Sequence, residues 1–243
     1  MKRKNILFLL ATGVLVLSTC VWTLGRAGWR LPRPPIVSTA EPEGAVIALT
    51  FDDGPNPAYT GAVLDVLYEN NAPATFFIMG SHVRGNEKLL RQILGEGHEV
   101  GNHTYSHTDL TTLTAAEILE EVERTQEAID RAVFKRADIS FVRPPYGWYD
   151  NAVLQAIATP AVLWDVDSGD WIVTTAQEIS SLVLSSVQDG DVVVFHDNNR
   201  ETVEALKVLL PKLKQSGFQP VTLSQLYELK AGKLPWAEID FNM

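Results

Sequence analysis

The sequence is short of cysteine, with a single one, Cys20, among its 243 residues. One cysteine excludes an intramolecular disulfide framework and a zinc finger built on cysteines. The chain also lacks low-complexity tracts and repeats of fixed period. Its content of 46% hydrophobic and 21% charged residues is that of an ordinary globular protein. A disordered, collagen-like or coiled-coil protein is therefore excluded.

Acidic residues are absent from the first 40 positions, which carry six basic residues. Residues 41–243 hold the other 14 basic residues and all 30 acidic residues, so their formal charge is −16. Phosphate binding requires a basic surface. We therefore expect no nucleic-acid partner for this acidic part of the chain.

A long uncharged run occupies the N-terminus, the 21 residues from Asn5 to Gly25. As a helix it would span about 31 Å, close to the thickness of the hydrocarbon core of a bilayer. A cleaved signal usually has a shorter apolar region followed by small residues, and the sequence after this run is a poor cleavage site. Residues 1–25 are therefore predicted to be a single-pass membrane anchor. The alternatives are a cleaved secretion signal and a lipoprotein signal at Cys20, and all three place the rest of the chain outside the cytoplasm.

Residues 26–43 are rich in proline and are predicted to form an extended linker. Residues 44–231 are predicted to be the folded domain, and residues 232–243 a C-terminal tail. Seven short apolar runs of the domain are predicted to be buried strands: Ala45–Phe51, Ala74–Met79, His98–Asn102, Ile139–Val142, Ala161–Val166, Val192–Phe195 and Phe218–Val221.

Amphipathic segments between these runs predict helices, one after the cap signal Asn56-Pro57 and one opened by a capping box of Thr114 and Glu117. Strands that alternate with helices predict an α/β fold with a parallel sheet covered by helices. About seven such units in a domain of this length fit a small, distorted or incomplete (β/α) barrel better than an open sheet.

Polar residues follow the ends of the predicted strands, where barrels of this kind carry their functional groups. Asp52 and Asp53 follow the first run. Adjacent carboxylates are unfavourable unless a cation or unequal protonation separates their roles, and a simple Asp-Gly-Pro turn is the alternative. His103 and His107 follow the third run, and two histidines four apart on a helical turn can reach one metal, although surface or capping roles remain open. A carboxylate with two imidazoles is typical of a hydrolytic metal site.

Three later strands are followed by further polar residues. Arg143 precedes two prolines that would fix it beside a carboxylate, unless it is a surface residue of a rigid loop. The segment Trp164–Trp171 contains three carboxylates framed by two tryptophans, and a solvated turn is its alternative. His196 follows the sixth run, where it would donate a proton near neutral pH or only form a local hydrogen bond.

In this order the segments resemble the five motifs of the NodB-like polysaccharide deacetylases, carbohydrate esterase family four. The motifs are TFDDGP (50–55), HTYSH (103–107), RPPYG (143–147), DSGDW (167–171) and VFH (194–196). The resemblance covers residues 45–230. It implies a distorted (β/α) barrel that removes N-acetyl groups from polysaccharides containing GlcNAc or MurNAc, such as peptidoglycan or chitin-like oligosaccharides, by attack of a metal-bound water on the acetamide carbonyl. An acetyl-xylan (O-acetyl) esterase and a non-catalytic module that binds cell-wall glycan are the alternatives.

The resemblance assigns roles to the residues on the metal side of the site. Asp53, His103 and His107 would bind a divalent metal, which in the family is usually Zn²⁺, with Co²⁺ or another divalent ion as the alternative. Asp52 would be the general base toward water, and Arg143 would hold Asp52 in place.

The resemblance also assigns the opposite side of the site and its substrate pocket. His196 would protonate the leaving amine, and Asp170 would tune His196. The backbone N–H of Tyr146 would help to stabilise the oxyanion, and Tyr146, Trp171 and Val194 would contact the substrate. The family usually has leucine where Val194 stands, so the acetyl pocket would be slightly larger here.

Other residues near the motifs receive weaker assignments. Tyr105, Trp148 and Tyr149 would either stack on sugar rings or be ordinary loop aromatics. His98 is expected to pack or hydrogen-bond within the domain, and His82 is expected to lie at the surface.

Overall fold

Strands and helices alternate along the chain in the computed structural model, which describes residues 33–36, 44–172 and 175–233. The strands within these residues are β1 (Ala45–Asp52), β2 (Thr75–Ile78), β3 (Glu99–Asn102), β4 (Val166–Asp167), β5 (Val192–His196) and β6 (Phe218–Val221). The α-helices are α1 (Thr60–Glu69), α2 (Gly80–Val83), α3 (Glu87–Gly95), α4 (Ala115–Val133), α5 (Asn151–Ile157), α6 (Ala176–Ser186), α7 (Arg200–Gln215) and α8 (Leu223–Lys233). Short 3₁₀ turns span Leu110–Thr112 and Pro145–Gly147.

Strand β1 is the centre of a parallel sheet. One of its edges pairs with β5, and the other pairs first with β6 and then, near its end, with β2. Strand β2 pairs with β3, and isolated bridges continue from Asn102 to Val142 and from Val142 to Ala161. Strand β4, a few residues later, pairs with β5. The pairings thus form a closed circuit, and the α/β fold with a parallel sheet agrees with a distorted barrel.

The number of strands differs from the prediction of about seven, since the described residues contain six. The segment Ile139–Val142 was wrongly predicted to be a strand, because only Val142 pairs with its neighbours, through isolated bridges. Pro144, two residues after Val142, lacks the N–H that would continue the ladder beyond this bridge. The predicted strand Ala161–Val166 is reduced to a bridge at its first residue and to β4 at its end. Between them, the carbonyls of Val162 and Leu163 accept hydrogen bonds from the Arg143 side chain and not from a neighbouring strand.

One of the two predicted helix starts is confirmed, and the other is wrong. The capping box is present, because Glu117 Oε2 accepts the Thr114 N–H at 2.8 Å and Thr114 Oγ1 accepts the Glu117 N–H. The predicted cap Asn56 instead closes a separate turn, in which its Oδ1 accepts the Ala58 N–H at 2.9 Å. Helix α1 begins only at Thr60, after this turn.

The alternation of side chains along β1 divides the core and directs the site. Ile47, Leu49 and Phe51 lie in the large apolar cluster that packs the sheet against the helices. Ala48 lies in a second apolar cluster on the opposite face. Because successive side chains of a strand point to opposite faces, Asp52 shares the second, inner face with Ala48. A carboxyl group is thus placed at the carboxyl end of the central strand, inside the barrel.

The predicted N-terminal membrane segment, residues 1–25, lies outside the described residues, as do residues 234–243 of the predicted tail. Within the part that is described, no helix is both long and apolar enough to cross a membrane. Of the predicted linker, residues 26–43, only 33–36 is described, and these four residues contain no helix or strand. Its last residue, Ile36, is buried, and its N–H donates to the Glu96 carbonyl at 2.7 Å.

Candidate active site

The turn after β1 brings two consecutive carboxyl groups to the same place. Asp52 is the last residue of the strand, and Asp53 has a positive φ of 72°. Asp is among the few residues other than glycine that tolerate this left-handed conformation. His103 Nε2 therefore lies 3.8 Å from Asp52 Oδ2 and 3.6 Å from Asp53 Oδ1.

The two histidines after β3 lie in an irregular loop, not on the helical turn that their spacing indicated. Thr104 and His107 both have positive φ angles, of 62° and 59°, which an α-helix does not contain. The imidazoles nevertheless meet, with ring centroids 4.9 Å apart. The prediction that both reach one metal does not depend on a helix.

Helix α4 holds the loop that carries these histidines. Glu121 Oε2 accepts the backbone N–H groups of Tyr105, at 2.9 Å, and of Ser106, at 2.7 Å. The guanidinium of Arg124 lies over the Tyr105 ring, 3.9 Å from its centroid. Two residues of one helix therefore fix the middle of the loop.

Asp53, His103 and His107 form a candidate metal triad, since one ligand atom from each lies within 4.8 Å of the others. Asp53 Oδ1 is 3.4 Å from His107 Nε2, and it is buried without a hydrogen-bond partner. His103 Nδ1 lies 2.8 Å from the Arg143 carbonyl. Because a carbonyl only accepts, Nδ1 carries the proton and Nε2 presents its lone pair to the triad.

The electrostatics of the triad also fit a cation. Burial lowers the pKa of His107, and the neighbouring His103 lowers it further against the opposing effect of Asp53. A neutral imidazole is the form that binds metal. One carboxylate and two imidazoles leave a position open for water or substrate, as in catalytic zinc sites.

A buried ion pair fixes the second carboxyl group. Arg143 is completely buried, and its Nη1 donates to Asp52 Oδ1 at 2.8 Å and to Thr50 Oγ1 at 2.8 Å. Its Nε and Nη2 donate to the carbonyls of Val162, at 3.0 Å, and Leu163, at 2.9 Å. Burial lowers the pKa of Arg143, and Asp52 opposes that effect. The guanidinium is thereby held in one orientation, and it orients the Asp52 carboxyl group.

His196, at the end of β5, forms the other charged pair of the site. Its Nδ1 lies 2.7 Å from Asp170 Oδ1, and its backbone N–H donates to Asp170 Oδ2 at 2.7 Å. Thr202 donates a further hydrogen bond to Oδ2, at 2.6 Å. Burial lowers the pKa of His196, but the hydrogen bond and charge of Asp170, with smaller effects of Asp52 and Asp53, outweigh burial and raise the pKa to about 9.

Of the predicted substrate-contacting residues, Tyr146 lies directly beside the triad. The Tyr146 ring packs against His107 with centroids 4.6 Å apart, and its backbone turns sharply at φ 60°. Trp148 packs on Tyr146 at 5.0 Å. Tyr146, Trp148 and Trp171 are between 53% and 63% exposed, so they offer open aromatic surface. Val194 is buried and shares a strand face with His196, because the two are two residues apart in β5.

The structure shows which of the other aromatic residues near the motifs have an open ring face, and where His98 and His82 lie. Tyr105 is covered by Arg124, and Tyr149 packs half-buried in an apolar cluster, so neither offers the open ring face that Trp148 has. His98 is buried and its Nδ1 accepts the Ala74 N–H at 3.1 Å, as expected. His82 lies at the surface as expected, and its Nδ1 contacts the Asp53 carbonyl at 2.7 Å.

Sequence reasoning missed two residues that follow His196. Asp197 is completely buried, accepts a short hydrogen bond from the Thr60 hydroxyl, and has its pKa raised by burial to about 7. Asn198 Nδ2 donates to Asp53 Oδ2 at 3.2 Å. The one available signal was an acidic residue directly after a buried strand. Its partner, 137 positions away, is not visible in the sequence.

The fold, the candidate triad and the two charged pairs Asp52–Arg143 and Asp170–His196 define a member of the polysaccharide deacetylase family, to which the chain belongs. The family model described as polysaccharide deacetylase matches residues 39–160, half of the chain. This match confirms the resemblance drawn from the five motifs. Peptidoglycan-N-acetylmuramic acid deacetylase PdaC of Bacillus subtilis is 40% identical over 196 residues, which are 81% of this chain and 42% of that protein. The chain therefore spans less than half the length of that relative.

Other relatives match over most of their length. A chitooligosaccharide deacetylase of Bradyrhizobium sp. is 39% identical over 198 residues, 74% of this chain and 90% of that protein. The solved structure of PdaC superposes with a TM-score of 0.76 at 40% identity, and the match covers 80% of this chain and 95% of that one. An acetyl xylan esterase from Clostridium thermocellum, solved with a cobalt ion, has a TM-score of 0.73 at 32% identity, covering 76% of this chain and 92% of that one.

Proposed function

We propose that this chain is a metal-dependent hydrolase that removes N-acetyl groups from polysaccharides containing GlcNAc or MurNAc, of the peptidoglycan or chitin type. The observation that carries the proposal is the orphaned, buried Asp53 Oδ1, which faces the Nε2 atoms of His103 and His107. The names of the Bacillus and Bradyrhizobium relatives support the substrate class.

The acetamide carbonyl is a poor electrophile, so its hydrolysis requires a polarised carbonyl and a nucleophile better than bulk water. Asp53, His103 and His107 would hold a divalent ion, for which Zn²⁺ is our first candidate and Co²⁺ the second. An ion held there would supply both requirements, since a divalent zinc polarises a carbonyl oxygen and lowers the pKa of a water to about 7. The cobalt ion in the Clostridium structure supports a divalent ion in general.

Asp52 would act as the general base. Its Oδ2 lies beside the triad, 3.8 Å from His103 Nε2, while Arg143 holds its Oδ1. The Asp52 carboxyl group accepts the proton of the attacking water as the new carbon–oxygen bond forms. The ring of Tyr146 packs against His107, and its backbone N–H would donate to the oxygen that gains negative charge.

His196 would act as the general acid. Its Nδ1 proton is held by Asp170, so a protonated imidazole presents the Nε2 proton to the substrate nitrogen. When the carbon–nitrogen bond breaks, its electron pair stays on nitrogen and takes that proton. The products are acetate and a free amine on the sugar.

The surroundings of the site fit a sugar with a small acyl group. Val194 lies on the same strand face as His196, where it would contact the acetyl methyl group. The open rings of Tyr146, Trp148 and Trp171 would lie against sugar rings, because a sugar presents an apolar face that aromatic side chains cover.

Acetate release from defined polymers tests this function. The purified chain, loaded with Zn²⁺ or Co²⁺, is incubated with chitooligosaccharide, peptidoglycan and acetylated xylan, and acetate is measured. We expect acetate from at least one of the two N-acetylated polymers. Acetate from xylan and from neither N-acetylated polymer would favour an acetyl-xylan esterase, a second candidate supported by the Clostridium structure. No acetate from any polymer would favour a glycan-binding module.

We also propose that the chain acts outside the cytoplasm, anchored in the cell membrane by residues 1–25. The uncharged run from Asn5 to Gly25 and its basic flanks support this location. Fractionation of expressing cells, followed by protease treatment of spheroplasts, tests it. We expect the full-length chain in the membrane fraction and its domain open to the protease. Recovery in the culture medium of a chain that lacks its N-terminal segment would contradict an uncleaved anchor.

A further inference from the structure

Asp197 is a buried carboxyl group that the proposed reaction does not use. It follows His196, is completely buried, and its Oδ1 has no hydrogen-bond partner. A buried polar atom without a partner lowers the stability of a fold. A carboxyl group at this position therefore calls for a reason beyond packing.

The hydrogen bonds of Asp197 reach both ends of the turn that carries the two site aspartates. Its backbone N–H donates to the Asp52 carbonyl at 3.4 Å. Its Oδ2 accepts from the Thr60 hydroxyl. Thr60 Oγ1 itself accepts the Asn56 N–H at 2.7 Å, so its own proton is free to point at Asp197. The backbone of Asp197 thus holds the start of the turn 52–56, and its side chain reaches the end of the turn through Thr60.

The middle of the same turn packs directly on the Asp197 carboxyl group. A Cβ atom added to Gly54 would lie 2.7 Å from Asp197 Oδ1 and 2.8 Å from its Cγ. Both approaches are closer than real Cβ contacts allow. Gly54 is not among the residues with positive φ, so the space taken by Asp197 explains the glycine, and backbone conformation does not.

We propose that Asp197 is a positioning residue for the metal site: its carboxyl group fixes the turn 52–56 so that Asp53 Oδ1 faces His103 and His107. Asp53 has a φ of 72°, a conformation that persists in a residue other than glycine when its surroundings impose it. Asn198, which donates to Asp53 Oδ2 at 3.2 Å, acts on the same turn from the next position along the chain. The inference rests on the proposed metal site and does not depend on which glycan is deacetylated.

Because the role is one of shape and hydrogen bonding, the choice of substitution matters. Asn at this position keeps a carbonyl oxygen that accepts from Thr60 and fills the same volume, whereas Ala does neither. Substitution of residues that orient metal ligands typically lowers metal affinity about 10–100-fold, and we expect a loss of that order for Asp197→Ala. We expect Asp197→Asn to stay close to wild type.

The experiment is calorimetric titration of the metal-free, full-length chain in detergent with ZnCl₂, together with the melting temperature of each metal-free variant. Glu99 provides a matched control, since its Oε2 accepts from the Thr75 hydroxyl at 2.9 Å and it lies at the opposite end of the sheet, at the start of β3. Glu99→Ala should lower the melting temperature but leave the zinc affinity unchanged. A merely structural Asp197 would behave in the same way as Glu99.

Variants of Thr60 keep the test decisive if Asp197→Ala does not fold. Thr60→Val removes the donor to Asp197 and should weaken zinc binding, whereas Thr60→Ser retains the hydroxyl and should not. Wild-type zinc affinity in Asp197→Ala, or in Thr60→Val, would overturn the proposal. An equal loss in Asp197→Asn and Asp197→Ala would also overturn it, because the charge of the carboxylate and not its geometry would then act.

The outcome is independent of the deacetylase proposal. A selective loss of zinc affinity supports the positioning role even if no glycan releases acetate. Unchanged affinity in a chain that does release acetate removes the positioning role and leaves the proposed function intact. A wild-type chain that binds no zinc would remove the metal site and this inference together.

Discussion

Asp170→Asn tests how the site sets the pKa of the proposed general acid. Asp170 accepts hydrogen bonds from His196 Nδ1 and from the His196 N–H, each at 2.7 Å. Burial alone lowers the pKa of His196, and Asp170 is the main group that raises it above 6.5, to about 9. At about 1.36 kcal/mol per pKa unit, this is a net preference of roughly 3 kcal/mol for the protonated imidazole. The His196 side chain is only 21% exposed, so solvent screens little of it.

The substitution should move the alkaline limb of the pH–rate profile. The acid must be protonated, so kcat/KM of the wild type falls as pH rises through the pKa of His196. In Asp170→Asn the charge is gone and burial remains, and the limb should move to a lower pH. A bound cation offsets the charges of Asp52 and Asp53, so it moves the alkaline limb of both proteins to a lower pH. The difference in pH between wild type and Asp170→Asn remains.

Two measurements check this prediction: kcat/KM against pH on an N-acetylated oligosaccharide, and the NMR titration of the His196 ring. Asp167→Asn is a matched control from the same loop, because Asp167 Oδ1 accepts the Gly169 N–H and Oδ2 accepts from Trp171 Nε1. Its limb should coincide with that of the wild type. Coinciding limbs in wild type and Asp170→Asn would refute the reasoning.

The free energy of unfolding should also depend on pH through the raised pKa of His196. The folded-state pKa of His196 lies above its ordinary value, so protonation stabilises the fold. The stabilisation is fully present below about pH 6.5 and is lost as pH rises through about 9. The free energy of unfolding of the wild type should therefore fall across that window, and that of Asp170→Asn should fall less.

Three further substitutions test other parts of the site. Asp52→Asn should abolish turnover and leave bound metal unchanged, as measured by acetate assay and atomic absorption; loss of the metal would mean that the two aspartates have exchanged roles. Trp148→Ala should raise KM for oligosaccharides and leave hydrolysis of 4-nitrophenyl acetate unchanged. Phe134 is another exposed aromatic residue, and Phe134→Ala should change neither; equal effects of the two substitutions would contradict a sugar contact. Arg143→Met leaves Asp52 buried without its partner and should lower the free energy of unfolding by about 3–5 kcal/mol in urea, and an unchanged value would contradict the buried pair.

The residues of the site were predictable because they follow apolar runs. In a parallel barrel the carboxyl ends of all strands meet at one end, so residues after different strands become neighbours. Asp52 and Asp53 after β1, His103 after β3 and His196 at the end of β5 are placed in this way. The order of strands along the chain therefore carries information about the site.

Contacts between distant segments were not predictable from one sequence. The loop of His103 and His107 has positive φ angles that depend on Glu121, a residue of another element, and helical spacing gave the wrong local structure. Thr60 and Asp197 are 137 positions apart, and only the fold reveals their contact. The predicted strand Ala161–Val166 is shortened for the same reason, since the carbonyls of Val162 and Leu163 accept hydrogen bonds from Arg143, about 20 positions away.

The central claim is that the triad of Asp53, His103 and His107 holds the ion on which deacetylation depends. Its most direct test is acetate release from N-acetylated oligosaccharide by the chelator-stripped chain as Zn²⁺ is added back. We predict no acetate from the metal-free chain and a rate that rises until the zinc added equals the chain in amount. His107→Ala should show no such rise. A metal-free chain that releases acetate at the full rate would contradict the account.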